Sequence, residues 1–144
     1  MYFPKKLSLF FAFTLTTACT ASVIKHQPTQ AASSAEAFGT SAFVVRNYRD
    51  ALPFVKDGES VDDVSAMVER LHPSGRYPVS IVAASYEPMP GKESIKIYLE
   101  GSGADSTYHY LAIMEGTESK GYKVSAMARS EDPFPGSNDV KPLR

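Results

Sequence analysis

Three clusters of turn-forming residues divide the second half of this chain into four short apolar segments. The segments span about 77–87, 94–100, 106–115 and 122–129, and Pro88–Gly91, Gly101–Asp105 and Gly116–Gly121 separate them. Each segment is rich in Ile, Val, Tyr or Thr, which favour β-strands, and each separator carries the Gly, Pro, Asp or Ser of a turn. Because connections this short join antiparallel neighbours, the pattern predicts a four-stranded meander.

Two helices are predicted before the meander. The helix over 61–72 begins with a capping box at Ser60 and Asp63, and its apolar positions Val61, Val64, Val68 and Leu71 share one face. His72-Pro73 ends it, and a cation at His72 complements the helix dipole. The earlier helix, over 34–51, rests on Ser33 to Glu36 as a capping box and on near-helical apolar spacing. Its β-branched and aromatic residues within 38–48 leave a strand open as the alternative.

The strand register predicts which side chains share a face of the sheet. If Glu100 lies opposite Ser106, and Glu115 opposite Tyr122, the two pairings agree on a single inner face. That inner face holds Ile95, Ile97, Leu99, Leu111, Ile113, Val124 and Ala126. The opposite face then presents Lys96, Tyr98, Tyr108, Tyr110, Met127 and Arg129.

These elements together predict an α+β fold, with two N-terminal helices packed as a second layer on a curved antiparallel four-stranded meander. The order of elements over about 35–130 resembles the small cystatin-like and NTF2-like envelope domains. The resemblance is one of element order and implies no functional residue.

The first eighteen residues have the features of a secretory signal peptide. Lys5 and Lys6 precede a short apolar run, Leu7–Leu15, and small residues follow it. A buried N-terminal helix is the alternative. The stretch Leu15-Thr-Thr-Ala-Cys19 resembles a bacterial lipobox, although Thr16 stands where most lipoboxes have Leu. The resemblance implies that Cys19 is lipidated and, with Thr20 after it, that the protein is anchored in the outer membrane and faces the periplasm; cleavage near Ala18 or Ala21 would instead release a soluble periplasmic protein.

The remaining chain divides into three parts. Residues 19–33 are predicted to be the lipidated cysteine and a flexible tether, 34–130 a single domain, and 131–144 a proline-rich tail that either packs along the domain or hangs loose. A net charge of −1 argues against a nucleic-acid partner, and a single cysteine excludes an intramolecular disulfide. The three histidines have no metal-binding spacing, so no metal and no cofactor is predicted.

No catalytic motif is present, so the sequence favours a non-enzymatic protein-binding module. Its predicted partners are the membrane, through the lipid anchor, and another envelope or exported protein. An accessory subunit of an envelope assembly and a periplasmic immunity-type protein fit equally well. The predicted contact face consists of Tyr98, Tyr108, Tyr110, Met127 and Arg129, residue types that are common at interface cores; a cross-strand ladder is the structural alternative.

The second functional hypothesis is a cavity between the helices and the sheet. It would be lined by His109, Ile97, Leu111 and Val124, and would bind a small apolar ligand or support simple acid–base catalysis by His109.

Overall fold

A computed structural model describes residues 24–143. Over this range the fold is α+β, with three α-helices and a five-stranded antiparallel sheet. The helices are α1 (Pro28–Gly39), α2 (Tyr48–Ala51) and α3 (Val61–Leu71), with a π-helical turn at Thr40–Val44 and a 3₁₀ turn at Leu52–Phe54. The predicted fold class is confirmed, whereas the counts of two helices and four strands are each too low by one.

Helix α1 begins six residues before the predicted helix. Gln27 is its N-cap, with a side chain that accepts a hydrogen bond from the Thr29 N–H, and Pro28 occupies the first turn, where its missing N–H costs nothing. Residues 28–33, predicted to belong to a flexible tether, therefore lie in a helix. The proposed capping box at Ser33 and Glu36 is mid-helix and caps nothing, and the alternative of a strand within 38–48 is wrong.

Helix α3 starts as predicted. The Ser60 hydroxyl accepts a hydrogen bond from the Asp63 N–H, and the Asp63 carboxylate accepts one from the Ser60 N–H at 2.8 Å. This backbone hydrogen bond lowers the pKa of Asp63. Val64, Val68 and Leu71 are buried on one face.

The sheet has the strand order β4-β3-β2-β1-β5. The strands are β1 (Ser80–Pro88), β2 (Ser94–Ser102), β3 (Thr107–Thr117), β4 (Gly121–Ser130) and β5 (Lys141–Pro142). The first four match the predicted meander to within a few residues. The fifth comes from the tail, which packs along the domain: β5 pairs with β1, and the Leu143 N–H donates to the Ala84 carbonyl at 3.2 Å.

The predicted pairing of β2 with β3 is wrong by three residues. Glu100 lies opposite His109 rather than Ser106, because both strands continue to Ser102 and Thr107 before the chain turns. Since side chains alternate between the faces of a strand, an odd shift reverses β3. Tyr108, Tyr110, Ala112 and Met114 therefore face the helices, and His109, Leu111 and Ile113 face away.

The pairing of β3 with β4 also differs from the prediction. Val124 lies opposite Met114, and a β-bulge then shifts the register by one residue, so that Ala126 lies opposite Ile113 and Met127 opposite Ala112. Val124 and Met127 are consequently buried, while Ala126 is exposed. The predicted inner positions Leu111, Ile113 and Ala126 are thus wrong, and those of β2 and of Val124 are correct.

The hydrophobic core lies between α1, the π-helical turn, α3 and the inner face of the sheet. Its largest fully buried side chains are Phe38, Phe43, Val64, Val68, Ile95, Ile97, Leu99, Tyr110, Met114 and Val124.

Candidate functional site

The predicted contact face does not form one surface. Tyr108, Tyr110 and Met127 are buried beneath the helices, with exposures of 4%, 0% and 4%. Arg129 lies with them, since it is paired with Tyr110, and only Tyr98 faces outward. The cause is the reversal of β3 together with the bulge in β4. As a shared docking face, the five residues are a wrong prediction.

The predicted cavity around His109 does not form either. Ile97 and Val124 are fully buried on the inner face, whereas His109 and Leu111 lie on the outer face, so the sheet separates the two pairs. His109 lines a different, shallow cavity of about 150 Å³ between the outer face and the tail, together with Tyr98 and Phe134. Among the described residues His109 makes no side-chain hydrogen bond that would orient it as a base.

Tyr98 joins the tail to the outer face of the sheet. Its hydroxyl donates to the Glu87 carboxylate at 2.7 Å, and the Ser137 hydroxyl donates to the other oxygen of Glu87 at 3.0 Å. The Phe134 ring lies 6.4 Å from the Tyr98 ring. Burial and the neighbouring carboxylate raise the pKa of Tyr98 to about 12. Tyr98 therefore holds the tail against the sheet, and its hydroxyl is occupied by the hydrogen bond to Glu87.

A buried histidine lies at the centre of the cluster that replaces the predicted face. His72 caps the C-terminus of α3 and is only 3% exposed. We define the His72 cluster as Phe43, His72, Tyr108 and Tyr110. The His72 ring contacts the rings of Phe43, Tyr110 and Tyr108 at centroid distances of 4.9, 5.8 and 6.1 Å. Phe43 in turn stacks on Tyr110 at 5.0 Å.

The hydrogen bonds of His72 define which ring nitrogen carries the proton when the ring is neutral. Nδ1 lies 3.0 Å from the Val68 carbonyl, which can only accept, so Nδ1 carries the proton. In the neutral ring Nε2 then accepts from the Tyr110 hydroxyl at 2.7 Å. Burial lowers the pKa of His72, and the positive charge of Arg129 lowers it further. Both effects favour the neutral ring, whereas the sequence predicts a cation at the end of α3.

Arg129 closes the His72 cluster on the side of β4. Its guanidinium lies 4.9 Å from the centre of the Tyr108 ring, and Nη1 donates to the Leu71 carbonyl at 3.1 Å. Its buried Nε has no hydrogen-bond partner among the residues that the structure describes. The cluster is thus a packed aromatic unit that joins the end of α3 to β3, and Arg129 connects it to β4.

A solvent-exposed surface lies beside this cluster, which we call the Arg46 surface and define as Val45, Arg46, Arg76, Tyr77 and Val79. The Arg46 guanidinium lies 4.5 Å above the centre of the Tyr77 ring, and Tyr77 packs on His72 at 5.2 Å. Val45 and Val79, on the two chain segments that this contact joins, are 64% and 68% exposed. A cavity of about 340 Å³ adjoins, lined by Arg76, Tyr77, Asp105, Ser106 and Tyr108 among others.

The backbone of Arg46 is strained. Its φ is 58°, the one positive value at a non-glycine residue within 24–143, and it directly follows Val45, the C-cap of the π-helical turn Thr40–Val44. Glycine is the usual residue where a helix ends in this left-handed conformation, and another residue costs about 1 kcal/mol there. Arg46 therefore occupies a position at which the backbone conformation favours glycine.

The lysines and the arginines of the described residues differ in their partners. All three ion pairs of the described residues are made by lysines, Lys56 with Glu59, Lys120 with Glu93 and Lys123 with Asp57. The arginines within residues 24–143 make no ion pair with a described residue. Arg46 and Arg129 lie on aromatic rings instead. Arg46 and Arg76 of the Arg46 surface therefore have no carboxylate within ion-pair distance among the described residues, and Asp105 lines the cavity beside Arg76.

Sequence reasoning missed this site, although one signal pointed to it. Val64, Val68 and His72 are spaced by four residues, which places the histidine on the apolar face of α3. The contact between Arg46 and Tyr77 had no comparable signal, because it depends on how two separate connections pack.

Comparison with family models, curated proteins and solved structures found no match to the chain. Within residues 24–143 no three His, Cys, Asp or Glu side chains come together as a metal-binding group. The same range has no helix with the length and apolarity needed to span a membrane. The predicted signal peptide and the predicted lipidation site at Cys19 lie outside the described residues.

Proposed function

We propose that this protein is a lipid-anchored protein of the bacterial cell envelope whose domain binds another protein through the Arg46 surface. One observation carries the proposal: Arg46 is held on the Tyr77 ring at a strained backbone position, and strongly exposed valines lie next to Arg46 and two residues after Tyr77 in the chain. Isolated exposed valines are ordinary, but Arg and Tyr beside exposed apolar side chains are typical of interface hot spots.

The Arg46 surface is preorganised for binding. Tyr77 is fixed from beneath by the buried His72, and Arg46 is fixed by Tyr77. Side chains that are already ordered lose little conformational entropy when a partner docks, and this improves affinity. The buried, uncharged His72 supports the surface and makes no contact with the partner in this proposal.

The partner is expected to be acidic at its point of contact. Arginines without carboxylate partners attract an oppositely charged surface and speed the encounter between the two proteins. An accessory subunit of an envelope assembly and an immunity-type protein that covers an exported toxin both fit this chemistry. The order of elements, like that of cystatin-like and NTF2-like envelope domains, is consistent with either role.

The anchor belongs to the same proposal. The signal-like segment before Cys19 supports export and lipidation at that cysteine. A Cys19→Ser variant should lose membrane association while its domain remains folded. If the variant fractionates with membranes like the parent protein, the lipid anchor is refuted.

The binding surface is tested by crosslinking in cells, with a tag after Arg144, and by mass spectrometry of the proteins that co-purify. Arg46→Gly is the informative variant, because glycine adopts the backbone conformation of residue 46 without strain and the fold should keep its stability. Lys92→Ala is the matched control, since it removes an exposed cation from the opposite end of the sheet. We expect Arg46→Gly to lose a stoichiometric partner that Lys92→Ala retains. Equal recovery with both variants would contradict the proposed surface.

A further inference from the structure

The described chain begins with a segment that is fastened to one end of the sheet. The Lys25 carbonyl accepts from the Glu118 N–H at 2.9 Å. His26 Nε2 donates to the Lys92 carbonyl at 2.8 Å, and its Nδ1 accepts from the Tyr122 hydroxyl at 3.1 Å. We call this the hairpin end, defined by the turns 89–93 and 118–120. The chain therefore enters the domain at the hairpin end and not at an arbitrary place on the surface.

These contacts leave a very short connection to the proposed anchor. Only the four residues 20–23 separate Cys19 from Ile24. Five extended Cα–Cα steps span at most about 17 Å, whereas the fourteen residues of the predicted tether would reach roughly 50 Å. A domain of this size has a radius of gyration of about 14 Å, hence a diameter of roughly 35 Å. The connection is thus shorter than the domain is wide.

We infer that the hairpin end rests against the lipid bilayer and that the Arg46 surface faces away from it. The inference rests on the proposed lipid anchor. With Cys19 at the membrane surface, a connection of at most about 17 Å does not allow the domain to turn over. Tyr77 and Val79 of the Arg46 surface come just before Ser80, the first residue of β1, and β1 runs from there to the hairpin end. Because β1 and β2 are each nine residues long, the two ends of these strands are about 27 Å apart.

The short connection, rather than charge, determines this orientation. Two of the lysines at the hairpin end are matched by carboxylates: Lys120 pairs with Glu93 at 2.6 Å and Lys123 with Asp57 at 2.9 Å. Lys92 makes no ion pair with a described residue, and the exposed Glu118 lies at the same end. Such a surface meets lipid headgroups without the strong attraction that an unpaired basic cluster has for anionic lipids. The orientation should therefore be the same on neutral and on anionic bilayers, and should depend on the number of residues after Cys19.

The test uses the absence of tryptophan from the chain. Glu118→Trp places a probe at the hairpin end, and Asp105→Trp places a matched probe in the turn at the opposite end; both replace an exposed acidic residue. Each full-length variant is expressed, purified from membranes and reconstituted into phosphatidylcholine vesicles that contain a lipid with a nitroxide on its headgroup. The mass of the N-terminal peptide reports whether Cys19 is lipidated. Protein without lipid is purified from the soluble fraction instead and is coupled through the thiol of Cys19 to a maleimide lipid, so the orientation is measured in either case.

We expect the fluorescence at position 118 to be quenched several-fold more strongly than that at position 105. Twelve Gly and Ser residues inserted after Ser22 should make the two values nearly equal. Equal quenching without the insertion, or a preference for position 118 that survives it, would overturn the inference. Absence of lipid on Cys19 would instead refute the proposed anchor and would leave the quenching result to decide the orientation.

Discussion

The hydrogen bond between His72 and Tyr110 should be a measurable part of the stability of the domain. Tyr110→Phe removes the hydroxyl that donates to His72 Nε2 at 2.7 Å and leaves the ring in place. Both side chains are buried, with exposures of 3% and 0%, so water does not replace the lost donor. A buried acceptor without a partner costs about 1–3 kcal/mol. We expect the free energy of unfolding to fall by about 2 kcal/mol, which lowers the melting temperature by roughly 8 °C for a domain of this length.

Urea unfolding followed by circular dichroism measures this change, and Tyr108→Phe is the matched control. Tyr108 lies on the same face of β3 and is equally buried, but its hydroxyl makes no hydrogen bond to any described residue. Its loss should change the stability by less than about 0.5 kcal/mol. Equal effects of the two variants would refute the assigned bond. Nitrogen-15 spectra at pH 7 provide a second readout, in which His72 should appear as the neutral Nδ1–H form.

Three further predictions concern stability. Burial lowers the pKa of His72 below its unfolded value near 6.5, so on acidification the unfolded chain binds the extra proton first. The free energy of unfolding is therefore highest above that pH and falls as the pH drops through it. His72→Gln should be less stable but should lose this part of the pH dependence, as measured by urea titrations at pH 7.5 and 5. Gly116→Ala should prevent folding of the β3–β4 hairpin, because its Cβ would lie 1.8 Å from the Gly121 carbonyl oxygen. Gly121→Ala, whose Cβ would have its nearest neighbour at 3.9 Å, should lower the free energy of unfolding by only about 1–2 kcal/mol. Similar melting temperatures for the two variants would contradict this. Ser60→Ala should destabilise α3 by about 1 kcal/mol, and an unchanged urea midpoint would show that the cap contributes nothing.

The strands and α3 could be predicted because their signals are local. Turn residues bracket each strand, and the capping box at Ser60 marks the start of α3 whatever the rest of the chain does. Helix α1 was misplaced because its start depends on Gln27 and Pro28, a proline that also suits a flexible segment. The sequence does not decide whether the tail packs along the domain or hangs loose, since a two-residue strand has no periodicity of its own.

The faces of β3 could not be predicted, for a specific reason. Tyr108, Tyr110, Ala112 and Met114 on one face are as apolar as Leu111 and Ile113 on the other, so hydrophobic alternation does not choose between them. The choice then depended on how many residues the turn between β2 and β3 contains, and an error of three reversed the strand. The bulge in β4 likewise has no residue-level signature in this chain. Because Tyr108 and Tyr110 then lie on the inner face, this reversal determined the composition of the His72 cluster.

The outermost of the four long strands, β4 and β1, are partly covered by other segments of the chain. Val55 forms an isolated parallel bridge with Val124 of β4, and the Lys56 N–H donates to the Val124 carbonyl at 3.0 Å. On the other side β5 covers Ser85 and Tyr86, and Pro142 ends that strand without an N–H to offer. Proteins anchored side by side in one leaflet collide far more often than proteins in free solution, and open strand edges would let them polymerise. In the lipid-anchored state proposed above, loss of the last four residues would uncover the edge of β1 at Ser85 and Tyr86 and favour pairing between neighbouring copies.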